Sequence, residues 1–372
     1  MTGSHTSRPV RHDIHVTPLI VVWEVNRAGH PGELDTDEGR ALFDSLATWH
    51  RSRPRVVLTG PDLLGRGDLT ELIRHGTGLG LEISLSLPVA PGLDRRKLTE
   101  LHAAGVTTLA LTLDGAAAGT HDQFHDAPGA FDRTLRAARE ATLAGLRLQI
   151  NSTLTPGNLA EAPALLARVI GLGARQWNVS LLVPTDRGTG RCDLTAAEHQ
   201  DVLHWLRDVS DRIAVEATDA PQFRRVFHQR TQGVDHEGGE LHRRLTAETT
   251  RLLGARPAAP RRPRPPLVVN AGSGLVVIGP AGDVRPDRLL PVHCGNIRES
   301  PLPEIYAQSP VLRRLRDPST WTGGCTTCEF AGLCGGSRAA AYAVSGDPFA
   351  SDPTCPYVAE GREFPETGRQ PV

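Results

Sequence analysis

The chain has 372 residues, a formal net charge of −1 and 22% charged residues, so it lacks a global field that would attract nucleic acid or an anionic membrane. Its apolar content of 39% is ordinary for a soluble globular protein, and the sequence contains no apolar run of membrane-spanning length. The amino-terminal residues carry no apolar signal-peptide core, which predicts a cytoplasmic protein. The length suits one large domain with a smaller one.

Short apolar runs alternate with longer stretches of helical periodicity up to about residue 182. Six strands are predicted, at 18–25, 55–60, 81–87, 108–113, 146–154 and 176–183. Strands that alternate with helices pair in parallel through right-handed crossovers, so the pattern predicts an α/β barrel-like fold. Thr36 is the predicted N-cap of the first helix, and Thr195 with Glu198 is a predicted capping box.

The character of the sequence changes near residue 256. The Pro/Arg-rich stretch 256–266 is predicted to be an extended linker, and the Gly-rich residues after it are typical of β-hairpins. The sequence therefore predicts a barrel-like domain at 16–255, a linker at 256–266 and a small cysteine-bearing module at 267–360.

Four of the six cysteines fall in one short segment of that module. They are Cys325, Cys328, Cys334 and Cys355. The first three are spaced C-x2-C-x5-C, and four thiolates suit either a tetrahedral zinc ion or an iron–sulfur cluster. A third interpretation is that the four cysteines form two disulfides, which a cytoplasmic setting disfavours. Gly335 and Gly336 follow the third cysteine, and backbone without a Cβ can approach a metal centre closely.

The cysteine segment, with GDP (346–348) and DPTCPY (352–357), resembles the carboxyl-terminal module of radical SAM proteins of the SPASM/twitch kind. Similar segments occur in family order at 21–28, 111–115, 121–135, 150–158, 181–188 and 294–299. The resemblance implies a partial (β/α)6 TIM-like barrel followed by a SPASM/twitch module with β-hairpins. It also implies that Cys325, Cys328, Cys334 and Cys355 ligate one auxiliary 4Fe–4S cluster.

One part of the family pattern is missing. Family members carry a CxxxCxxC loop after the first strand, where three thiolates hold the cluster that binds and cleaves S-adenosylmethionine. Here NRAGHPGELD (26–35) occupies that place, and the first 191 residues contain no cysteine. His30 cannot replace three thiolates. The sequence therefore predicts degeneracy for S-adenosylmethionine cleavage and leaves binding of that cofactor in doubt.

A second departure concerns the loop after the second strand. The family's Gly-Gly-Glu-like motif corresponds to TGPDLLG, where Gly60 is kept, Pro61 replaces the second glycine and Asp62 is the remaining carboxylate. Proline fixes φ and removes an N–H donor, so this loop presents different groups.

Further candidate residues lie at other strand ends and in the following helix. Asp114, Asn151 and Ser152 resemble cofactor-contacting positions, with structural capping as the alternative. His121 and His125 could supply half a metal site, but a polar helix face is the favoured interpretation. The two remaining cysteines, Cys192 and Cys294, are predicted to be unligated thiols.

Three functions remain open at this point. The first is a degenerate family member that keeps the auxiliary cluster and binds a peptide, a small molecule or an active radical SAM relative. The second is an active oxidoreductase that modifies a peptide or tetrapyrrole-like substrate, either with an atypical first cluster or with a segment lost from this sequence near Ala28. The third is an electron-transfer or zinc-structured binding module.

Overall fold

The computed structural model describes residues 12–25, 32–49, 52–87, 93–183, 194–257 and 260–359. His30, Cys192 and the segment 26–31, where the family's cysteine loop belongs, lie outside the described residues.

Seven parallel strands, paired in chain order, form the main sheet of the described chain. They are β1 (Ile20–Glu24), β2 (Arg55–Thr59), β3 (Glu82–Leu87), β4 (Thr108–Thr112), β5 (Arg147–Leu154), β6 (Gln176–Leu181) and β7 (Ala214–Thr218). The sheet is not closed, because β7 forms one of its edges. The predicted α/β fold with a partial TIM-like barrel is confirmed, and β7 is a seventh strand that the sequence pattern did not indicate.

Helices connect these strands and cover one face of the sheet. In the amino-terminal part they are α1 (Thr36–Ala47), α2 (Leu69–Gly78), α3 (Arg95–Ala104), α4 (Ala118–His125), α5 (Ala130–Leu143), α6 (Ala162–Gly171), α7 (Ala196–Val209), α8 (Gln222–Thr231) and α9 (Glu240–Leu253). The capping box at Thr195 and Glu198 is present at the start of α7, as predicted. The predicted N-cap of α1 was wrong by one residue. Asp35 caps that helix, while the Thr36 hydroxyl donates to Asp68 Oδ2 at 2.5 Å.

The two faces of the sheet differ in chemistry. Successive strand side chains point to opposite faces, so Ile150 of β5 is buried in the helix-covered core while its neighbour Asn151 lies on the other face. On that face Gln149 Nε2 donates to Asn151 Oδ1 at 2.8 Å, and Gln176 Nε2 donates to Asn178 Oδ1 at 2.6 Å. We call these four half-buried residues of β5 and β6 the polar face.

The carboxyl-terminal part extends the same sheet. Its strands are β8 (Asn270–Ala271), β9 (Gly274–Ile278), β10 (Asp283–Arg285) and β11 (Gly295–Asn296), followed by α10 (Leu302–Gln308), α11 (Pro310–Leu315), α12 (Gly324–Thr327), α13 (Arg338–Ser345) and α14 (Pro356–Ala359). β9 pairs in parallel with β1, and β10 and β11 add antiparallel strands beyond it. The sheet thus continues past the predicted boundary at 256–266, and the domain limits stay a prediction.

The segment before β9 connects the two edges of the seven-stranded parallel sheet, which are β7 and β1. The Leu267 N–H donates to Glu216 Oε2 of β7 at 3.1 Å, and a few residues later β9 lies beside β1. No helix in the described part of the chain has the length and apolar character needed to cross a membrane.

Candidate metal centre

The structure brings the four predicted cysteines together. Cys325, Cys328, Cys334 and Cys355 all line one cavity that is open to one side. All four are free thiols. Apolar side chains and the glycine pair supply much of the remaining wall, including Phe330, Tyr357 and Val358.

Local backbone geometry explains the glycines beside the third cysteine. Gly335 and Gly336 have φ of +72° and +67°, in the left-handed region that favours glycine. The Gly336 N–H donates to Cys334 Sγ at 3.4 Å, and a Cβ built on Gly336 would lie 3.2 Å from Cys325 Sγ. The sequence predicted the close backbone approach for this pair, and the structure adds an N–H directed at a sulfur.

A buried carboxylate positions the fourth cysteine. Asp352 Oδ2 accepts from the Ser337 N–H at 2.5 Å, and Asp352 Oδ1 accepts from the Thr354 N–H at 2.9 Å. Asp352 therefore ties the turn that carries Cys355 to the start of α13, directly after the glycine pair. Because Asp352 is fully buried, these hydrogen bonds are shielded from water.

Burial keeps three of these thiols protonated in the absence of a metal. Burial raises the pKa of Cys328 to about 11 and the pKa of Cys334 to about 12, and burial also raises the pKa of Cys355. A metal must therefore displace these protons when it binds, which makes binding weaker as the pH falls.

The spacing of the sulfurs can be compared with the spacing that a zinc ion needs. In the described chain, Asp114, His121 and His125 form the one set of three or more candidate ligands whose ligand atoms all lie within 4.8 Å of one another. No three of the four cysteine sulfurs are therefore that close. Zinc–sulfur bonds of about 2.3 Å in a tetrahedron need sulfurs roughly 3.8 Å apart. The four cysteines are free thiols whose Sγ atoms move on rotation about χ1, so this spacing does not choose between a zinc ion and an iron–sulfur cluster.

Gly60 and Asp62 lie where β2 ends. Gly60 has a φ of +148°, and a Cβ on it would be 1.8 Å from the Val25 carbonyl oxygen at the end of β1. Asp62 is exposed and makes no capping hydrogen bond with its side chain. Gly60 thus serves close backbone packing beside the place of the missing cysteine loop, and Asp62 remains available to solvent.

The other three candidate residues do not form one site. Asn151 belongs to the polar face, whereas Ser152 is buried on the opposite face, where it donates to the Leu113 carbonyl at 2.5 Å and accepts from Trp177 Nε1 at 2.9 Å. Asp114 is fully buried, and its Oδ1 accepts from the Thr153 N–H at 2.5 Å. For Asp114 and Ser152 these bonds support the structural alternative that the sequence left open.

The histidine pair on α4 differs from the predicted polar helix face, because His121 is fully buried. Its Nδ1 accepts from the Asp114 N–H at 3.1 Å, so the neutral ring carries its proton on Nε2, which has no hydrogen-bond partner. His125 Nε2 is 2.8 Å from Asp114 Oδ2. A protonated Nε2 offers no lone pair to a metal ion, so this trio is a poor metal site.

Three arginines at the cysteine cavity were missed at the sequence level. Arg225 lines the cavity, Arg224 Nη2 donates to the Cys334 carbonyl at 2.7 Å, and Arg338 Nη2 lies 3.6 Å from Cys325 Sγ. Arginine is usually exposed, so none was singled out. A signal was present in QFRRVF (222–227), because Phe223, Val226 and Phe227 flank the arginine pair and all six residues of that stretch are buried.

The donor set of the chain does not fit a second, family-type cluster in the barrel. The first 191 residues supply no thiolate, and Cys294 is buried in the hydrophobic core near the Val292 carbonyl, 3.7 Å from its Sγ. Burial raises the pKa of Cys294 to about 12.

Sequence comparisons identify relatives over almost the whole chain. The AdoMet-dependent heme synthase of Nitratidesulfovibrio vulgaris is 33% identical over 362 residues, covering 92% of this chain and 93% of the relative. The protein of the same name from Methanosarcina barkeri is 35% identical over 328 residues, covering 88% of each chain. This chain belongs to the radical SAM/SPASM family. No family model matches the chain.

More distant relatives of the radical SAM/SPASM chain bear other names. The PqqA peptide cyclase of Methylobacterium nodulans is 24% identical over 335 residues, covering 87% of this chain and 80% of the relative.

Solved structures agree on the fold. Streptococcus suis SuiB bound to the precursor peptide SuiA has a TM-score of 0.63 at 14% identity, covering 92% of this chain and 76% of SuiB. For anSMEcpe with bound AdoMet the TM-score is 0.57 at 14% identity, covering 91% and 94%.

Proposed function

We propose that this radical SAM/SPASM protein holds one auxiliary 4Fe–4S cluster on Cys325, Cys328, Cys334 and Cys355 and no longer cleaves S-adenosylmethionine. One contrast carries the proposal: four cysteines line a single cavity, while the first 191 residues contain no cysteine at all. The Gly336 N–H directed at Cys334 Sγ supports an iron–sulfur cluster at this cavity.

The chain then acts as a binding or accessory protein in the modification of a peptide or a tetrapyrrole-like molecule. The relatives named AdoMet-dependent heme synthase and PqqA peptide cyclase support these two substrate classes. The polar face supports a binding role, because its amide side chains can hydrogen-bond to peptide groups or carboxylates. An active radical SAM relative is the partner that would supply the missing chemistry.

A second candidate function is an active radical SAM oxidoreductase on the same substrate classes. The observation that favours it is the 33% identity to a named synthase across 92% of this chain. Such an enzyme needs either a first cluster with ligands other than the family's three cysteines or a cysteine segment that is lost from this sequence near Ala28.

The test is a metal and cleavage assay on the full-length protein after anaerobic reconstitution. Under our proposal the protein holds about four irons and four sulfides per chain and forms no 5′-deoxyadenosine from S-adenosylmethionine when reduced with dithionite. About eight irons with 5′-deoxyadenosine formation would replace it with the active-enzyme function. Zinc without iron would refute the iron–sulfur cluster and leave a zinc-structured binding module.

A further inference from the structure

Three arginine side chains beside the cysteine cavity are almost completely buried. Arg224, Arg225 and Arg338 are exposed by 6%, 2% and 1% of their surface. Arginine keeps its charge in proteins, and taking an unpaired charge out of water costs several kcal/mol or more. Three such residues around one cavity therefore need a compensating anion.

The hydrogen-bond partners of these guanidinium groups are uncharged. Arg224 donates to the carbonyls of Leu267, Val269 and Cys334, and Arg338 donates to the carbonyls of Gly336, Pro348 and Ala350. Arg225 donates to the side-chain carbonyls of Gln200 and Gln229 at 2.6 and 3.0 Å and stacks on Tyr357 at 4.3 Å. The Nε atoms of Arg224 and Arg225 have no hydrogen-bond partner.

Nearby carboxylates balance only part of this charge. Asp352 is fully buried, but it accepts from Gln222 Nε2 and from backbone N–H groups rather than from an arginine. Glu216 attracts Arg224 without an ion pair, and burial raises the pKa of Glu216 to about 7, so it is only partly ionised at neutral pH. Four thiolates around a centre of charge +2 add a net charge of about −2, which brings the buried charges close to balance.

We propose that Arg224, Arg225 and Arg338 compensate the negative charge of the centre held by the four cysteines and thereby raise its reduction potential. This inference rests on the proposed 4Fe–4S cluster. Reduction adds one negative charge to the cluster, so fixed cations at the cavity stabilise the reduced form more than the oxidised form. We call these arginines positioning residues because they act on the centre from beside its ligands. Arg338 Nη2 lies 3.6 Å from Cys325 Sγ, and Arg225 lines the cavity.

The experiment compares Arg225→Gln with Arg225→Lys in the full-length reconstituted protein. We expect the glutamine variant to have a lower midpoint potential in an EPR-monitored redox titration and to release its metal faster to a chelator. The lysine variant keeps the positive charge and should remain near the wild-type potential. A tenfold change in the reduction equilibrium corresponds to about 59 mV for this one-electron step.

Arg212→Gln is the matched control. Like Arg225, Arg212 donates to two uncharged acceptors, which are the backbone carbonyls of Leu253 and Gly254, but it is only half-buried and does not line the cavity. The variant should lose stability without any change in potential. Asp352→Asn supplies a test of opposite sign, because removing a negative charge near Cys355 should raise the potential.

The possible results separate this inference from the proposed function. Wild-type protein that binds neither iron nor zinc after reconstitution would overturn both. Normal metal content, with unchanged potential and metal release in Arg225→Gln, would overturn the role of the arginines alone. Equal shifts in the lysine and glutamine variants would also overturn it, because they would show that shape rather than charge matters. If zinc is bound, the claim about the reduction potential is overturned together with the proposed cluster, because zinc undergoes no redox change. Only the compensation of charge is then left, and unchanged metal release in Arg225→Gln would overturn that as well.

Discussion

Gly60 packs directly against Val25, with no room for a side chain between the ends of β2 and β1. A Cβ on Gly60 would lie 1.8 Å from the Val25 carbonyl oxygen, and the Val25 N–H donates to the Thr59 carbonyl at 2.6 Å. Val25 is the last described residue before the segment where the family's cysteine loop belongs. Gly60 therefore lets the backbone after β2 pass close to the end of β1.

We expect Gly60→Ala to destabilise the protein by more than about 2 kcal/mol, because alanine is disfavoured at a φ of +148° and its Cβ collides with backbone. Urea unfolding followed by circular dichroism measures the loss. Gly78→Ala is the control, since nothing lies within 4 Å of its added Cβ, and it should be neutral or stabilising by about 0.5–1 kcal/mol. Equal stability of the two variants would contradict the close packing.

The sequence was sufficient for most of the fold, because buried parallel strands are read from continuous apolar runs. The sequence pattern did not predict β7. Its five residues bury one side chain, Val215, and it lies at the edge of the main sheet, where half-buried residues are common. The pairing of β9 with β1 was also beyond the sequence, since no local pattern shows which distant strand completes an edge.

The candidate site was predictable in part. Cysteine spacing indicated the cavity, and the glycine pair indicated close backbone approach. Strand alternation was a signal that went unused for Asn151 and Ser152, since neighbours in a strand must point to opposite faces. The buried arginines depend on how α8 packs against the cysteine module, and that is a tertiary property.

Cys328→Ser should abolish most iron binding, because a hydroxyl is a poor ligand for iron and Cys328 lines the cavity. We expect residues 267–360 to become more sensitive to protease while the barrel stays folded, since the main strands β2–β7 lie outside that segment. Iron analysis and limited proteolysis measure both effects. Cys294→Ala is the control and should keep its iron. Unchanged iron content in Cys328→Ser would rule out this ligand set.

The barrel should lose stability in acid partly through His204 on α7. Its ring stacks on His236 at 3.5 Å between centroids, and burial, with the nearby His236, lowers the pKa of His204 to about 3. As the pH falls, His204 of the unfolded chain binds a proton near pH 6.5, whereas His204 of the folded protein does so only near pH 3. Stability contributed by neutral His204 is therefore complete above pH 6.5 and is lost as the pH falls toward 3, by about 2 kcal/mol between pH 6.5 and 5.

His204→Phe tests this pH dependence, because phenylalanine keeps a ring against His236 but cannot bind a proton. At pH 8 both proteins have a neutral ring, so their difference in unfolding free energy reports packing and the lost contact with Gln200. We expect the variant to lose less stability than the wild type between pH 8 and pH 5. Parallel stability curves over that range would show that His204 does not titrate on unfolding.

A loop graft tests whether the missing thiolates account for the proposed loss of chemistry. Replacing residues 26–31 with a CxxxCxxC loop typical of the family should raise the iron content from about four to about eight per chain, because three thiolates would again follow β1. A graft in which the three cysteines are serines is the matched control and should hold about four irons. An unchanged iron content in the cysteine graft would show that the end of β1 no longer accommodates a cluster.

Cleavage of S-adenosylmethionine by the graft should still be slow, because Pro61 removes an N–H donor directly after Gly60. Adding Pro61→Gly to the graft restores that donor in the loop after β2 and should increase 5′-deoxyadenosine formation under reducing conditions. The serine graft with Pro61→Gly should form none. If the graft alone already reaches the rate of the combined variant, Pro61 has no part in the degeneracy and the cysteine loop explains all of it.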